Sequence, residues 1–200
     1  MIKKHLILLT LILNSSCVTI DYGYFRYFKE GFFSNNQINV LDVKKNTPYS
    51  FIKAQYGKNQ AILVLSKIDE NNVYHWVGEN NYELIKTFNG LIIETSGFSF
   101  GNLSLYKPDL VKLFSNFPIK DFEIHTNIDN PKLVHAHTTY RAIFFQDNEC
   151  KKVVYLKLID SINFKNNDEF CFNKNGLVAN TNQKFSNLHE EIHIEFHYQY

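Results

Sequence analysis

The sequence predicts a mainly β fold, an antiparallel β-barrel-like or sandwich domain with one or two short helices. Short segments of alternating apolar and polar residues recur along the chain, and turn residues separate them. Helical spacing of apolar residues is rare. The composition supports a packed core, because 44% of the residues are hydrophobic and 18 Phe and 12 Tyr are among them. Many antiparallel strands at this spacing are typical of a barrel or a sandwich.

The chain begins with the pattern of a secretory signal peptide. Met1-Ile2-Lys3-Lys4 is basic, residues 6–13 are apolar with one exception, and Asn14-Ser15-Ser16 precedes Cys17. The apolar run is too short to span a bilayer, which needs about 20 residues. A cysteine directly after the small residues is typical of a bacterial lipoprotein, so we expect cleavage before Cys17 and acylation of its thiol. A plain secretory signal, with the cysteine there by chance, is the alternative.

The N-terminal pattern also predicts a location and a domain organisation. Val18 follows the cysteine and favours the outer membrane, since Asp at this position retains lipoproteins at the inner membrane of well-studied enteric bacteria. Two or three acyl chains anchor a protein stably. We expect a cleaved signal at 1–16, an anchor and aromatic segment at 17–37, and a single β-rich domain at 38–200.

Charge and composition exclude several classes of protein. Cleavage would remove two of the 21 basic residues and none of the 20 acidic ones, which takes the formal net charge from +1 to −1. Nucleic-acid binding therefore has no electrostatic support. Four prolines and eight glycines exclude a repetitive or linker-rich chain.

The predicted strands follow one another through the central and C-terminal chain. Asn89-Gly90 separates two of them and suits a two-residue hairpin turn with positive φ. In the last strand, from residue 192 to 200, apolar residues alternate with His193, Glu195, His197 and Gln199. The other predicted strands are 61–65, 73–77, 82–88, 91–95, 140–146, 152–159, 162–164 and 170–172.

Two segments show helical signals. Residues 21–33 place several Phe side chains on one stripe, and this aromatic segment either covers one end of the barrel or rests in lipid headgroups. Residues 49–56 form a predicted short helix, with Thr47 as N-cap and Pro48 in the first turn. Between residues 108 and 131 the periodicity fades, and we expect a loop with at most one helical turn.

The cysteines offer a disulfide if the protein is exported. With Cys17 acylated, Cys150 and Cys171 remain as a pair in an oxidising compartment. A bridge between them would close a loop of about twenty residues and stabilise the fold by roughly 3 kcal/mol. Two buried free thiols are the alternative.

One stretch matches a catalytic motif. His189-Glu190-Glu191-Ile192-His193 fits H-E-x-x-H, the zinc-protease signature, whose two histidines reach one zinc only from a shared helix face. Here the motif runs into an alternating segment that predicts a strand, and few residues remain for a third ligand. We therefore expect no catalytic residue, no metal site and no cofactor. A zinc hydrolase that uses His189 and His193 is the alternative.

The same histidines permit a second interpretation. In a strand, His189, Glu191, His193, Glu195 and His197 would share one face, and His135 and His137 would form a similar pair. Such a face could hold a metal loosely or respond to pH. A solvated outer face is the alternative.

The order of elements in the central chain resembles a known family. Asn46-Thr47-Pro48-Tyr49-Ser50 leads into the strand at 61–65, then come Trp76-Val77 and the segment 89–98. From about residue 38 to 105 this succession resembles the YjbF/GfcB family of outer-membrane lipoproteins, and Phe170-Cys171-Phe172 before Gly176 is similar to the family's closing region. The resemblance implies a barrel-like fold, a role in group 4 capsule or related exopolysaccharide secretion, and no known catalytic residues. It also implies a large outer-membrane β-barrel protein as partner.

Together these observations predict a lipid-anchored, non-enzymatic accessory protein on the periplasmic face of the outer membrane. Acylated Cys17 would bind the bilayer, and the β-domain would meet an outer-membrane β-barrel protein of a polysaccharide export system. The alternative function is a periplasmic module that binds lipid or a glycan inside its β-fold.

Overall fold

A computed structural model describes residues 39–78, 82–98, 102–105, 121–129, 133–146, 151–159, 164–186 and 189–199. These residues form a closed antiparallel barrel of twelve strands with one short helix. The predicted mainly β class is confirmed, and the architecture is a barrel. The signal peptide, Cys17, the segment 17–37 and the helix predicted at 21–33 lie outside the described residues.

The strands follow an up-and-down order, so that each pairs with its neighbours in sequence and the last closes on the first. At the closure Phe51 lies opposite His197 and Tyr56 opposite Ile192. Closure gives every strand two partners and removes free sheet edges. The elements are α1 (Val40–Asn46), β1 (Phe51–Tyr56), β2 (Asn59–Ile68), β3 (Tyr74–Val77), β4 (Leu84–Phe88), β5 (Leu91–Ser96), β6 (Leu103–Leu105), β7 (Phe122–Ile128), β8 (Val134–Gln146), β9 (Lys151–Ile159), β10 (Phe164–Phe172), β11 (Val178–Gln183) and β12 (Ile192–His197).

Local sequence signals place several of these elements correctly. The strands predicted at 61–65, 91–95 and 152–159 lie within β2, β5 and β9. In β12, Ile192, Ile194 and Phe196 are buried while the residues between them are partly exposed. Asn89 and Gly90 have φ of 44° and 83°, as a two-residue turn with two positive φ values requires.

The helix predicted at 49–56 is wrong, because this segment is β1. Its Phe51, Ile52 and Ala54 are buried, and its backbone pairs with β2 on one side and β12 on the other. A barrel closes only if a strand fills this position, which local capping signals do not reveal. The helix lies earlier, where Asn39 accepts a hydrogen bond from the Leu41 amide at 3.1 Å as the N-cap of α1.

The loop predicted at 108–131 is also partly wrong, because residues 122–128 form β7. Along this strand Ile124, Thr126 and Ile128 are buried, while Glu123 before them and His125 between the first two are exposed. The alternation is present, but an interior threonine interrupts its apolar half. The alternation of apolar and polar residues is therefore weak in the sequence, although these residues form a regular strand.

Two opposite walls of the barrel meet across its interior. Gln183 of β11 donates from Nε2 to the Gly90 carbonyl at 2.7 Å, and its Oε1 accepts from the Ile92 amide at 2.9 Å. At Gly90 a Cβ would lie 2.7 Å from Val178 Cγ1, so the close approach requires glycine. Eight strands already give a barrel that side chains just fill, so twelve strands leave a wider space. Contact between β11 and the β4–β5 hairpin closes part of that space.

Candidate functional site

The H-E-x-x-H motif does not form a helical zinc site. His189 lies in a bend before β12 and is buried, with Nδ1 2.7 Å from Ser186 Oγ and its ring 5.9 Å from that of Phe185. His193 lies in β12, and its Nδ1 contacts Asn182 Oδ1 at 2.6 Å. The two imidazoles therefore have separate environments. The expectation that His189 shares the outer face of β12 is wrong, since the strand begins only at Ile192.

The outer face of β12 instead carries a charged row centred on Glu195. The Glu195 carboxylate lies 3.6 Å from His193 Nε2, 3.6 Å from His197 Nε2 and 3.7 Å from Lys53 Nζ of β1. One carboxylate thus faces three basic groups, and no second carboxylate is among these contacts. Lys53 already lies beside the carboxylate, so this arrangement offers little to an incoming cation.

His197 is the most enclosed member of this row. Its side chain is 14% exposed, and its ring stacks on Phe51 with centroids 4.7 Å apart. Burial lowers the pKa of His197, Lys44 of α1 and Lys53 add to the effect, and Glu195 opposes it. His197 therefore remains neutral further into the acidic range than an exposed histidine.

A second group of histidines lies on the outer face of β7 and β8. His125 and His137 are direct register partners and their rings stack, with centroids 4.5 Å apart and planes 14° from parallel. Glu123 Oε2 lies 3.2 Å from His137 Nε2, and Asn127 Oδ1 lies 2.7 Å from His135 Nδ1. The prediction that His135 and His137 form a pair on one face of a strand agrees with this geometry, and β7 adds a third histidine.

The interior holds a buried acidic and phenolic group that the sequence did not predict. Asp168 of β10 is fully buried and accepts a hydrogen bond from the Lys184 amide at 3.1 Å. Burial and the Asp168 charge raise the pKa of Tyr140, and burial and Asp121 raise the pKa of Tyr155. Both phenols therefore stay protonated near neutral pH.

The cavity beside Tyr140 is small. A cavity of about 10 Å³ lies between β5, β6, β7, β8 and β11, and Thr126, Thr138, Tyr140 and Gln183 supply its polar lining. This volume suits one water molecule. It does not suit a lipid tail or a sugar, so this part of the interior does not support the predicted ligand-binding alternative.

The structure tests only part of the cysteine predictions, because it describes one of the three cysteines. Cys171 in β10 is disulfide-bonded. Cys150 and Cys17 lie outside the described residues, so the Cys150–Cys171 pairing stays a prediction. Across the described ranges there is no cluster of three side chains placed to hold a metal ion, and no helix long and apolar enough to cross a membrane.

Sequence reasoning missed His125, Glu123 and Asp168. A period-2 row of polar residues at 123, 125 and 127 was the available signal for the first two, and the weak hydrophobic pattern around it hid the strand. Asp168 had no such signal, because an acidic residue in a strand is usually solvated.

Comparison with solved structures finds a protein of similar fold, while no known protein family and no curated protein matches the sequence. The similar structure is the hypothetical lipoprotein YmcC from Escherichia coli (K12). It aligns with a TM-score of 0.64 over 81% of this chain and 89% of its own, at 16% sequence identity. At this identity the likeness establishes a shared fold.

Proposed function

We propose that this chain is a lipid-anchored, non-enzymatic accessory protein of polysaccharide secretion on the periplasmic face of the outer membrane. Acylated Cys17 holds it at the bilayer. Its barrel is the surface that an outer-membrane β-barrel protein of the export system binds. No reaction chemistry is assigned to it.

The observation that carries this proposal is the agreement between the N-terminal pattern and the fold. Residues 1–17 read as a lipoprotein signal followed by its cysteine, and the barrel is similar to that of a hypothetical lipoprotein over most of both chains. These two observations are independent. The likeness in fold rests on the strands of the barrel, whereas the signal pattern rests on the first sixteen residues of the chain, which precede the barrel.

The described side chains support a non-enzymatic role. The two histidines of the H-E-x-x-H motif face different surroundings, and the buried phenols of Tyr140 and Tyr155 keep their protons. The described cavity takes about one water molecule. We therefore infer that the barrel binds a partner on its outer surface and does not catalyse a reaction in its interior.

The anchor is tested first. Cys17→Ala should release the protein from the membrane fraction, because one thiol carries the attachment, while the wild type should pellet through carbonate washing. Intact mass of the wild-type mature chain should show acylation at Cys17. A Cys17→Ala variant that still pellets, or a wild-type chain without acyl mass, would contradict the anchor.

The role in export is tested separately. Deletion of the gene should lower surface polysaccharide, and cross-linking of the wild-type protein in cells should recover an outer-membrane β-barrel protein. Cys17→Ala should lower both the amount of surface polysaccharide and the yield of the cross-linked β-barrel protein. Circular dichroism should show that the barrel of this variant stays folded. Normal polysaccharide after deletion would refute the export role and leave the anchor intact.

A further inference from the structure

We infer that the aromatic segment, residues 21–33, docks on the outer wall of β1 to β4 and covers an apolar stripe there. The segment lies outside the described residues, and the stripe lies within them. The docking is independent of acylation at Cys17. It adds to the proposed function a fixed placement of the barrel beside its anchor.

The stripe begins at Phe51, which is fully buried although it faces the outside of the barrel. Side chains alternate along a strand, and Ile52 and Ala54 of β1 belong to the interior core, so Phe51 points the other way. Its ring stacks on His197, which lies on the outer face of β12. A fully enclosed phenylalanine on the outer face requires a cover beyond the sheet itself.

An apolar row continues from Phe51 across the next three strands. Val64 of β2 is the register partner of Phe51, and Val77 of β3 is the partner of Val64. Leu84 of β4 is in turn the partner of Val77. Register partners share a face, so all four side chains point outward. Ile62 lies two residues from Val64 on the same face and is also buried. These five residues are the outer stripe.

Another wall of the barrel shows how exposed such side chains are without a cover. Ile143 of β8 and Leu158 of β9 also face outward, and they are 45% and 36% exposed. Beside the outer stripe even charged side chains are enclosed, since Lys53 is 15% exposed and His197 is 14% exposed. The two walls therefore differ, and the wall of the outer stripe is the covered one.

α1 supplies only part of this cover. Its Lys44 acts on His197 through its charge, and its Val40 and Val43 are half-buried, so the helix lies near this wall. None of its residues is fully buried, and a helix of seven residues is about 10 Å long. The outer stripe and His197 together cross five neighbouring strands, which is roughly 19 Å at about 4.8 Å between strands.

The aromatic segment is placed to supply the rest. The described chain begins at Asn39, directly before α1, and α1 leads into the strand that carries Phe51. Residues 34–38 are all that separates the segment from Asn39, and such a link reaches about 20 Å at most. Large aromatic side chains bury more apolar area than other residues. The segment has seven of them: Tyr22, Tyr24, Phe25, Tyr27, Phe28, Phe32 and Phe33.

Photo-cross-linking tests where the segment lies. Benzoylphenylalanine replaces Phe25, Phe28 or Phe32, one at a time, in the otherwise unchanged chain purified in detergent. After irradiation and digestion, mass spectrometry should find cross-links to residues 51–88 of the same chain. Cross-links to residues 134–159, to a second copy of the chain at twice the mass, or to detergent alone would each overturn the inference.

Limited proteolysis tests the same contact without a probe. Arg26 and Lys29 are trypsin sites inside the segment, so docking should slow cleavage there. Val77→Asp on the outer stripe should speed cleavage at both sites about tenfold or more, because it places a charge in an apolar contact. Its matched control is Leu158→Asp, which adds the same charge to the exposed wall and should be cleaved at the wild-type rate.

A third variant separates undocking from unfolding of the barrel. Phe28→Asp changes no barrel residue, and it should speed cleavage at Arg26 and Lys29 as Val77→Asp does while the thermal midpoint of the barrel changes little. Equal cleavage rates in the wild type, Val77→Asp and Phe28→Asp would overturn the inference. These outcomes do not depend on the anchor, because acylation of Cys17 is read separately from the intact mass.

Discussion

The two histidine faces of this barrel share a sequence pattern and differ in chemistry. On β12 a single carboxylate, Glu195, lies within 3.7 Å of three basic groups, and His197 beside it is 14% exposed. On β7 and β8 the histidines stack across two strands, and Glu123 beside them is 61% exposed. The difference teaches that alternation places a histidine on a face, while neighbours from other strands decide how far its side chain is enclosed.

The largest expected difference between the two faces follows from removing one carboxylate on each, Glu195 of β12 and Glu123 of β7. Glu195→Ala leaves Lys53, His193 and His197 without their shared acceptor, so we expect a loss of about 1–2 kcal/mol in the free energy of unfolding. Glu123→Ala should change it by less than about 0.5 kcal/mol, because its side chain is exposed. Urea denaturation of both variants measures this. Equal losses would mean that burial does not separate the two faces.

The pH dependence of stability gives a smaller effect. Because the pKa of His197 is lowered in the folded state, the unfolded chain binds more protons between that pKa and 6.5. The contribution is therefore fully present above pH 6.5 and is lost as pH falls from 6.5 toward the folded pKa. His197→Gln should flatten the decline in unfolding free energy between pH 7 and pH 5. If the slope of this decline is unchanged in the variant, other titratable groups cause the decline.

The smallest effect is expected from the exposed stack. His137→Gln should leave the free energy of unfolding within about 0.5 kcal/mol of the wild type, since surface substitutions rarely do more. Thermal unfolding of the variant and of the wild type is the measurement. A loss above 1 kcal/mol would identify the His125–His137 stack as a structural contact, as on β12.

Part of the two histidine faces could be derived from the sequence. Alternation in 192–200 placed His193, Glu195 and His197 on one outer face, and the same reasoning paired His135 with His137. The same reasoning could not place His125 on this face, because β7 lies in a stretch where the alternation of apolar and polar residues is weak. Nor could it supply Lys53, because the segment that became β1 carried helix-capping signals.

The sequence by itself determined the β class, the Asn89-Gly90 turn and the two-sided character of β12, because each depends on residues that are neighbours along the chain. Only the tertiary structure decided that residues 51–56 form a strand, that Gln183 reaches Gly90 across the interior, and that His125 meets His137. Closure and register join residues far apart in sequence, and their energies come from pairing and burial that no local pattern records.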